Sequence, residues 1–195
     1  MKHDIILDEN LLTVSEKLRT LDLDPIKIKL MDTNEGEGWT RSETDKIDLM
    51  YRRFLFLNEK FKGQVIVPNK MVDKFWHAHI LDTKKYHEDC MFIFGRFIHH
   101  FPYLGMRSDE DKVALDEAFN NTQDLYIQEF GEPLYSIKEG DIVANPCTDS
   151  PANCWPASCN AKCNVKREDL DVVRPFFSEN PTGPVDIFSD MSKVA

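Results

Sequence analysis

Apolar residues recur at three- and four-residue steps through most of the first 130 positions, the period of one face of an α-helix. Leu11, Val14, Leu18 and Leu21 predict a helix from about Asn10 to Leu21. Pro25 suits the first turn of a short second helix running through Met31. The glycines of Asn34-Glu35-Gly36-Glu37-Gly38 mark a loop. A longer helix is expected from Ser42, as N-cap, to Phe61, with Ile47, Met50, Tyr51, Phe54, Leu57 and Phe61 on its apolar face.

Gly63 closes that helix, and Gln64-Val65-Ile66-Val67-Pro68 reads as an extended connector. Asn69 can cap a helix carrying Met71, Val72, Phe75 and Trp76, and Asp82 or Thr83 a further one through Tyr86, Cys90, Phe94 and Phe97. The stretch His99 to Gly105 is a break. A last helix should run from Ser108 to Phe130, with acidic residues in its first turn and Gly131 ending it. After about Asn145 the periodicity stops, and six of the ten prolines fall in the remaining residues. The pattern therefore predicts an all-α, compact multi-helix domain over 1–144, followed over 145–195 by an irregular Cys/Pro-rich C-terminal arm that wraps the body or stays disordered.

Composition narrows the functional classes. Among 195 residues, 42% are hydrophobic, and 13 Phe, 5 Tyr and 3 Trp supply bulk for a core. The formal net charge of −10 repels phosphate backbones and anionic bilayers, so no nucleic acid and no membrane is expected as partner. The apolar run Ile5-Ile6-Leu7 is too short for a signal peptide. A cytoplasmic location follows as an expectation, with the five cysteines reduced or metal-bound.

Candidate chemistry concentrates between Asp73 and His100. Five of the six histidines, His77, His79, His87, His99 and His100, lie there. At about 100° per residue, His77 and His79 point to different sides of a regular helix, so a shared ion requires the helix to end or distort beside them. Asp73 stands four residues before His77 and can orient its ring. Tyr86 and His87 share a face with Cys90. Imidazole and thiolate together favour zinc, with copper or iron as alternatives, and the candidate ligands are His77, His79 and Cys90. Asp73, Trp76, Tyr86 and Asp89 would surround them. The competing readings are packing, with buried imidazoles bonded to backbone, and a Cys90 nucleophile activated by a nearby imidazole. His99 and His100 either complement a helix C-terminus or add a ligand from a neighbouring turn.

The run Trp76-His77-x-His79-x-Leu81 followed by Tyr86-x-x-Asp89-Cys90, preceded by Val72-Asp73, resembles the central motif of the glycine-rich domain-containing protein-like family. That resemblance singles out Trp76, His77, His79, Tyr86, Asp89 and Cys90 and implies no settled activity. The glycine-rich extension and RNA association of some plant members do not carry over to a chain with 8 glycines. In the arm, Cys147, Cys154, Cys159 and Cys163 are separated by six, four and three residues. They would form a thiolate metal site, two disulfides or a redox-active tail, and no Cys-x-x-Cys knuckle decides among these. Three functions follow as expectations: a metal-dependent enzyme acting on an unidentified small molecule, a non-catalytic protein-interaction or regulatory module, and a metal-handling protein using the tail.

Overall fold

A computed structural model describes residues 9–134, 174–179 and 181–190. Cys147, Cys154, Cys159, Cys163 and the expected boundary at 144/145 lie outside the described residues. Within them the chain forms six helices and no strand: α1 Glu9–Thr20, α2 Asp24–Met31, α3 Arg41–Lys60, α4 Lys70–Leu81, α5 Thr83–Phe94 and α6 Asp109–Phe130. The all-α expectation holds. None of these helices is long and apolar enough to cross a membrane.

The central element is α3, which packs against α1, α2, α4 and α6. Its N-cap is Thr40, two residues before the expected Ser42. Thr40 accepts from the Glu43 amide while the Glu43 carboxylate accepts from Thr40 N, a reciprocal capping box that outcompetes a lone serine. The ring of Tyr51 lies 5.0 Å from Phe75 and that of Phe54 5.0 Å from Trp76, which locks α4 onto α3. Val67 packs with Leu115 and Phe119 in a smaller cluster, and its amide donates to Thr122 Oγ1 at 3.0 Å. The non-helical connector thereby finds a partner on α6.

The expected helix through Phe97 stops earlier, at Phe94. Gly95 takes a left-handed conformation (φ 65°), and its amide donates to Met91 O, ending the helix as a glycine C-cap does. The chain from Arg96 onward is then free of the helical path, and it runs back beside α4.

Two adjacent, fully buried arginines tie α3 to distant parts of the chain. Arg52 binds Asp48 Oδ1 (2.6 Å) and donates to the carbonyls of Leu18 and Leu21 (2.9 Å for the latter) at the end of α1. Arg53 donates to Tyr126 Oη (2.9 Å), Glu132 Oε1 (2.7 Å) and the carbonyls of Ile187 (2.6 Å) and Ser189. The described part of the arm thus lies on the helical body. Ile187 is buried in the main core, Phe188 meets Phe56 and Phe130 edge-on or tilted, and Val185 N donates to Arg19 O at 2.9 Å. Arg174 makes a two-pronged bond to Asp82 (2.6 and 2.9 Å) at the α4–α5 junction.

Arg53→Ala would remove the buried guanidinium that bonds Tyr126 Oη, Glu132 and two carbonyls of the arm and leave its volume empty, so it should lower stability by about 3–5 kcal/mol, whereas apolar Arg53→Met should cost less. Urea unfolding measures both, and a loss below about 1 kcal/mol for Arg53→Ala would mean that this guanidinium does not hold the arm. The Arg174 guanidinium, foremost, holds the Asp82 carboxyl below the ordinary aspartate range. A depressed folded value means that the stabilisation is complete above that range and is lost as pH falls through it. Wild type should therefore outlast Arg174→Gln in urea near neutral pH, and the gap should close on acidification into the lower carboxylate range.

Candidate functional site

Asn69 caps α4 by accepting from Val72 N at 2.8 Å, which fixes where the helix begins and hence which faces its side chains occupy. Val72, Phe75, Trp76 and His79 are buried by this placement. Asp73 and His77, one turn apart, share a neighbouring face, and His77 Nδ1 lies 3.3 Å from Asp73 Oδ2.

Gly95 determines the third member. With α5 ended, the loop 95–100 returns along α4 and delivers His100, whose Nε2 is 3.0 Å from Asp73 Oδ1. The loop is stapled by Tyr86: its hydroxyl accepts from Trp76 Nε1 (2.9 Å) and donates to Ile98 O (2.6 Å). The His100 ring packs 4.5 Å from both Trp76 and His77, centroid to centroid. Trp76 and Tyr86 thus act on the site by positioning this loop.

Asp73, His77 and His100 offer ligand atoms that all lie within 4.8 Å of one another. Asp73 is buried, and the two histidines are half-buried. Burial lowers the His77 pKa, Asp73 opposes that shift, and neighbouring His100 reinforces it. His77 is therefore a neutral imidazole with a lone pair to give near neutral pH. Two imidazoles and a carboxylate suit zinc and other first-row divalent ions.

The structure separates His77 from His79. His79 sits on the buried side of α4, with Nδ1 2.9 Å from Tyr51 Oη and Nε2 2.8 Å from Asp89 Oδ2. An ionised carboxylate only accepts, so Nε2 carries the proton and Nδ1 accepts from Tyr51. Burial lowers the His79 pKa despite Asp89, and burial pushes the Tyr51 hydroxyl well above its usual range, so both keep these roles. Lys85 Nζ, 3.0 Å from Asp89, balances the carboxylate. Both ring nitrogens of His79 are thereby engaged.

Cys90 is buried, and burial pushes its thiol pKa up, with the Ile98 amide and Tyr86 hydroxyl opposing. Among the described residues, His77, His79 and Cys90 do not form one ligand group. His87 and His99 flank the Phe97 ring, at 6.1 and 5.0 Å between centroids. Tyr51 was missed by sequence reasoning because its spacing on α3 reads as ordinary core. The glycine after Phe94 was the available signal for His100.

Removing the His79 ring leaves the Tyr51 hydroxyl and the Asp89 carboxylate without it in a buried setting. His79→Ala should therefore lower stability by about 2–4 kcal/mol in urea unfolding. A change under about 0.5 kcal/mol would contradict the structural role.

Comparison with curated proteins gives no match, and comparison with solved structures gives none. The family described as UCP032817-like, an uncharacterised family, matches residues 15–123, more than half of the chain and the whole span from α3 to His100. That description does not carry the glycine-rich domain name that the Trp76-to-Cys90 motif resembles. The chain belongs to the UCP032817-like family.

Proposed function

We propose that this protein binds a divalent transition metal between Asp73, His77 and His100, with zinc favoured and copper or iron next. The observation that carries the reading is the convergence of three ligand atoms within 4.8 Å, from one turn of α4 and a loop that Trp76 and Tyr86 hold in place. A structural zinc site takes four protein ligands, whereas a catalytic one takes three and keeps a position for water or substrate. Among the described residues three ligands converge here, two of them half-buried, which favours an ion that polarises a small molecule or activates water. Asp73, Trp76 and Tyr86 are then ligand or support, and the Tyr51–His79–Asp89 chain fixes the far side of α4. A cytoplasmic setting with reduced cysteines is part of the same proposal.

One observation favours a second reading, a non-catalytic interaction or regulatory module. The motif residues His79, Tyr86, Asp89 and Cys90 are engaged in packing and internal hydrogen bonds, as a structural centre would be. A metal-handling role for Cys147, Cys154, Cys159 and Cys163 is a third, outside the described residues.

The test is metal content by plasma mass spectrometry after purification without chelators or affinity tag, under reducing conditions. The samples are wild type, His77→Ala, His100→Ala, His79→Ala and a variant with all four arm cysteines changed to Ser. Truncating the arm is unsuitable, because Ile187 belongs to the core. A single ion per chain should be retained by the cysteine variant and by folded His79→Ala. His77→Ala or His100→Ala should weaken its binding at least about tenfold. Wild type that stays metal-free after zinc reconstitution would overturn the proposal in favour of the interaction module. Loss only in the cysteine variant would move the site to the arm.

A further inference from the structure

Between α5 and α6 the chain forms no helix and links the two hydrophobic clusters as a strap. At one end Ile98 is buried in the main core, and its carbonyl accepts from Tyr86 Oη at 2.6 Å. At the other, Leu104 packs with Val67, Leu115 and Phe119 in the smaller cluster. Between these anchors His99, Phe101, Pro102 and Tyr103 are exposed, and His100 is half-buried. The middle of the strap is therefore held by the same side chain that completes the candidate metal centre.

Without an ion that fastening is slight. A carboxylate only accepts, so His100 Nε2 donates to Asp73 Oδ1, at 3.0 Å, and the His100 ring rests 4.5 Å from Trp76 and from His77. One bond to a carboxylate shifts an opening equilibrium by roughly tenfold to a hundredfold. Phe101 and Tyr103 meet each other at 5.6 Å between centroids but stay 56% and 53% exposed, so they add little burial to hold the strap.

Asp73 and His77 stand on α4, whereas His100 stands on the strap. An ion shared by the three ties together segments that no common helix joins, and opening the strap would withdraw one ligand in three. A ligand that binds only the closed form suppresses opening by one plus the ratio of its free concentration to Kd, about a hundredfold at 100 times Kd.

We propose that residues 99–103 are a metal-dependent latch: an ion at Asp73, His77 and His100 clamps them to α4, and loss of the ion releases them together with Phe101 and Tyr103. The latch rests on the metal reading of these three residues. It adds a surface that differs between ion-bound and ion-free protein.

The test is hydrogen–deuterium exchange, read by mass spectrometry on the full-length protein. Samples are metal-free or hold zinc at about 100 times the Kd that calorimetry gives for the same preparation. Zinc should slow the amides of 99–103 (Pro102 has none) at least about tenfold and leave the exposed 34–38 loop unchanged. His100→Ala should abolish the slowing, and so should His77→Ala, which removes a ligand from α4 and leaves the sequence of the strap intact. His99→Ala, at the exposed neighbour, should keep it. Calorimetry showing no zinc binding would overturn the metal reading and the latch together. One zinc per chain with no slowing at 99–103, slowing shared equally by 34–38, or slowing that survives His100→Ala would overturn the latch alone.

Discussion

Everything in this fold hangs on the pair of buried guanidiniums in the middle of α3. Consecutive residues on a helix diverge by about 100°, so Arg52 and Arg53 leave α3 on different faces and reach different parts of the chain. Arg52 donates to the carbonyls of Leu18, in the last turn of α1, and Leu21, just past it, and Arg53 donates to those of Ile187 and Ser189 in the arm. Both carry their counter-ions with them, Asp48 one turn earlier on α3 and Glu132 just after α6. Lys27 extends the arrangement, fully buried among Asp24, Asp45 and Asp48. Such networks add little net stability over an apolar core, because desolvation offsets the attraction. Their geometric demands instead select one placement of α1, α2 and the arm around α3.

With α3 fixed, its aromatic face fixes α4. Tyr51 and Phe54 meet Phe75 and Trp76, and Tyr51 also bonds His79. The helix is thereby held in rotation as well as position, with Asp73 and His77 on a half-covered face. The short α5 and its glycine stop supply the return path for His100. The candidate metal centre is thus a consequence of packing on the other side of the same helix. A buried polar chain through His79 and a more open cluster at His77 are two faces of one sequence motif.

The helices were legible in the sequence because their signals are local. Apolar spacing marked α1, α3, α4 and α5, Pro25 marked α2, and Ser108 with Gly131 marked the ends of α6, while the caps at Asn69 and Asp82 were readable as residue types. Thr40 was legible in principle, since Glu43 follows three residues later, but Ser42 was the nearer match to the apolar run. The Phe94 stop was obscured because Phe97 continues the apolar period past Gly95. Site membership was less legible than the motif. That His77 and His79 diverge follows from helix geometry, but which of them faces a tertiary partner depends on Tyr51, some 28 positions from His79. His100 stood in a known break with two possible roles, and only the path of the loop after Gly95 decides which side chain it approaches. The docking of Ile187 has no periodic signature at all, because a single apolar residue in an extended segment carries none.

Zinc-edge X-ray absorption on the zinc-loaded, full-length protein tests the Asp73/His77/His100 assignment most directly, because it reads the ligand atoms. The assignment predicts a shell of only nitrogen and oxygen at about 2.0–2.2 Å with the scattering signature of imidazole. That imidazole signature should diminish in His100→Ala. A sulfur shell at about 2.3 Å would contradict it, placing the ion on Cys90 or on the cysteines of the arm.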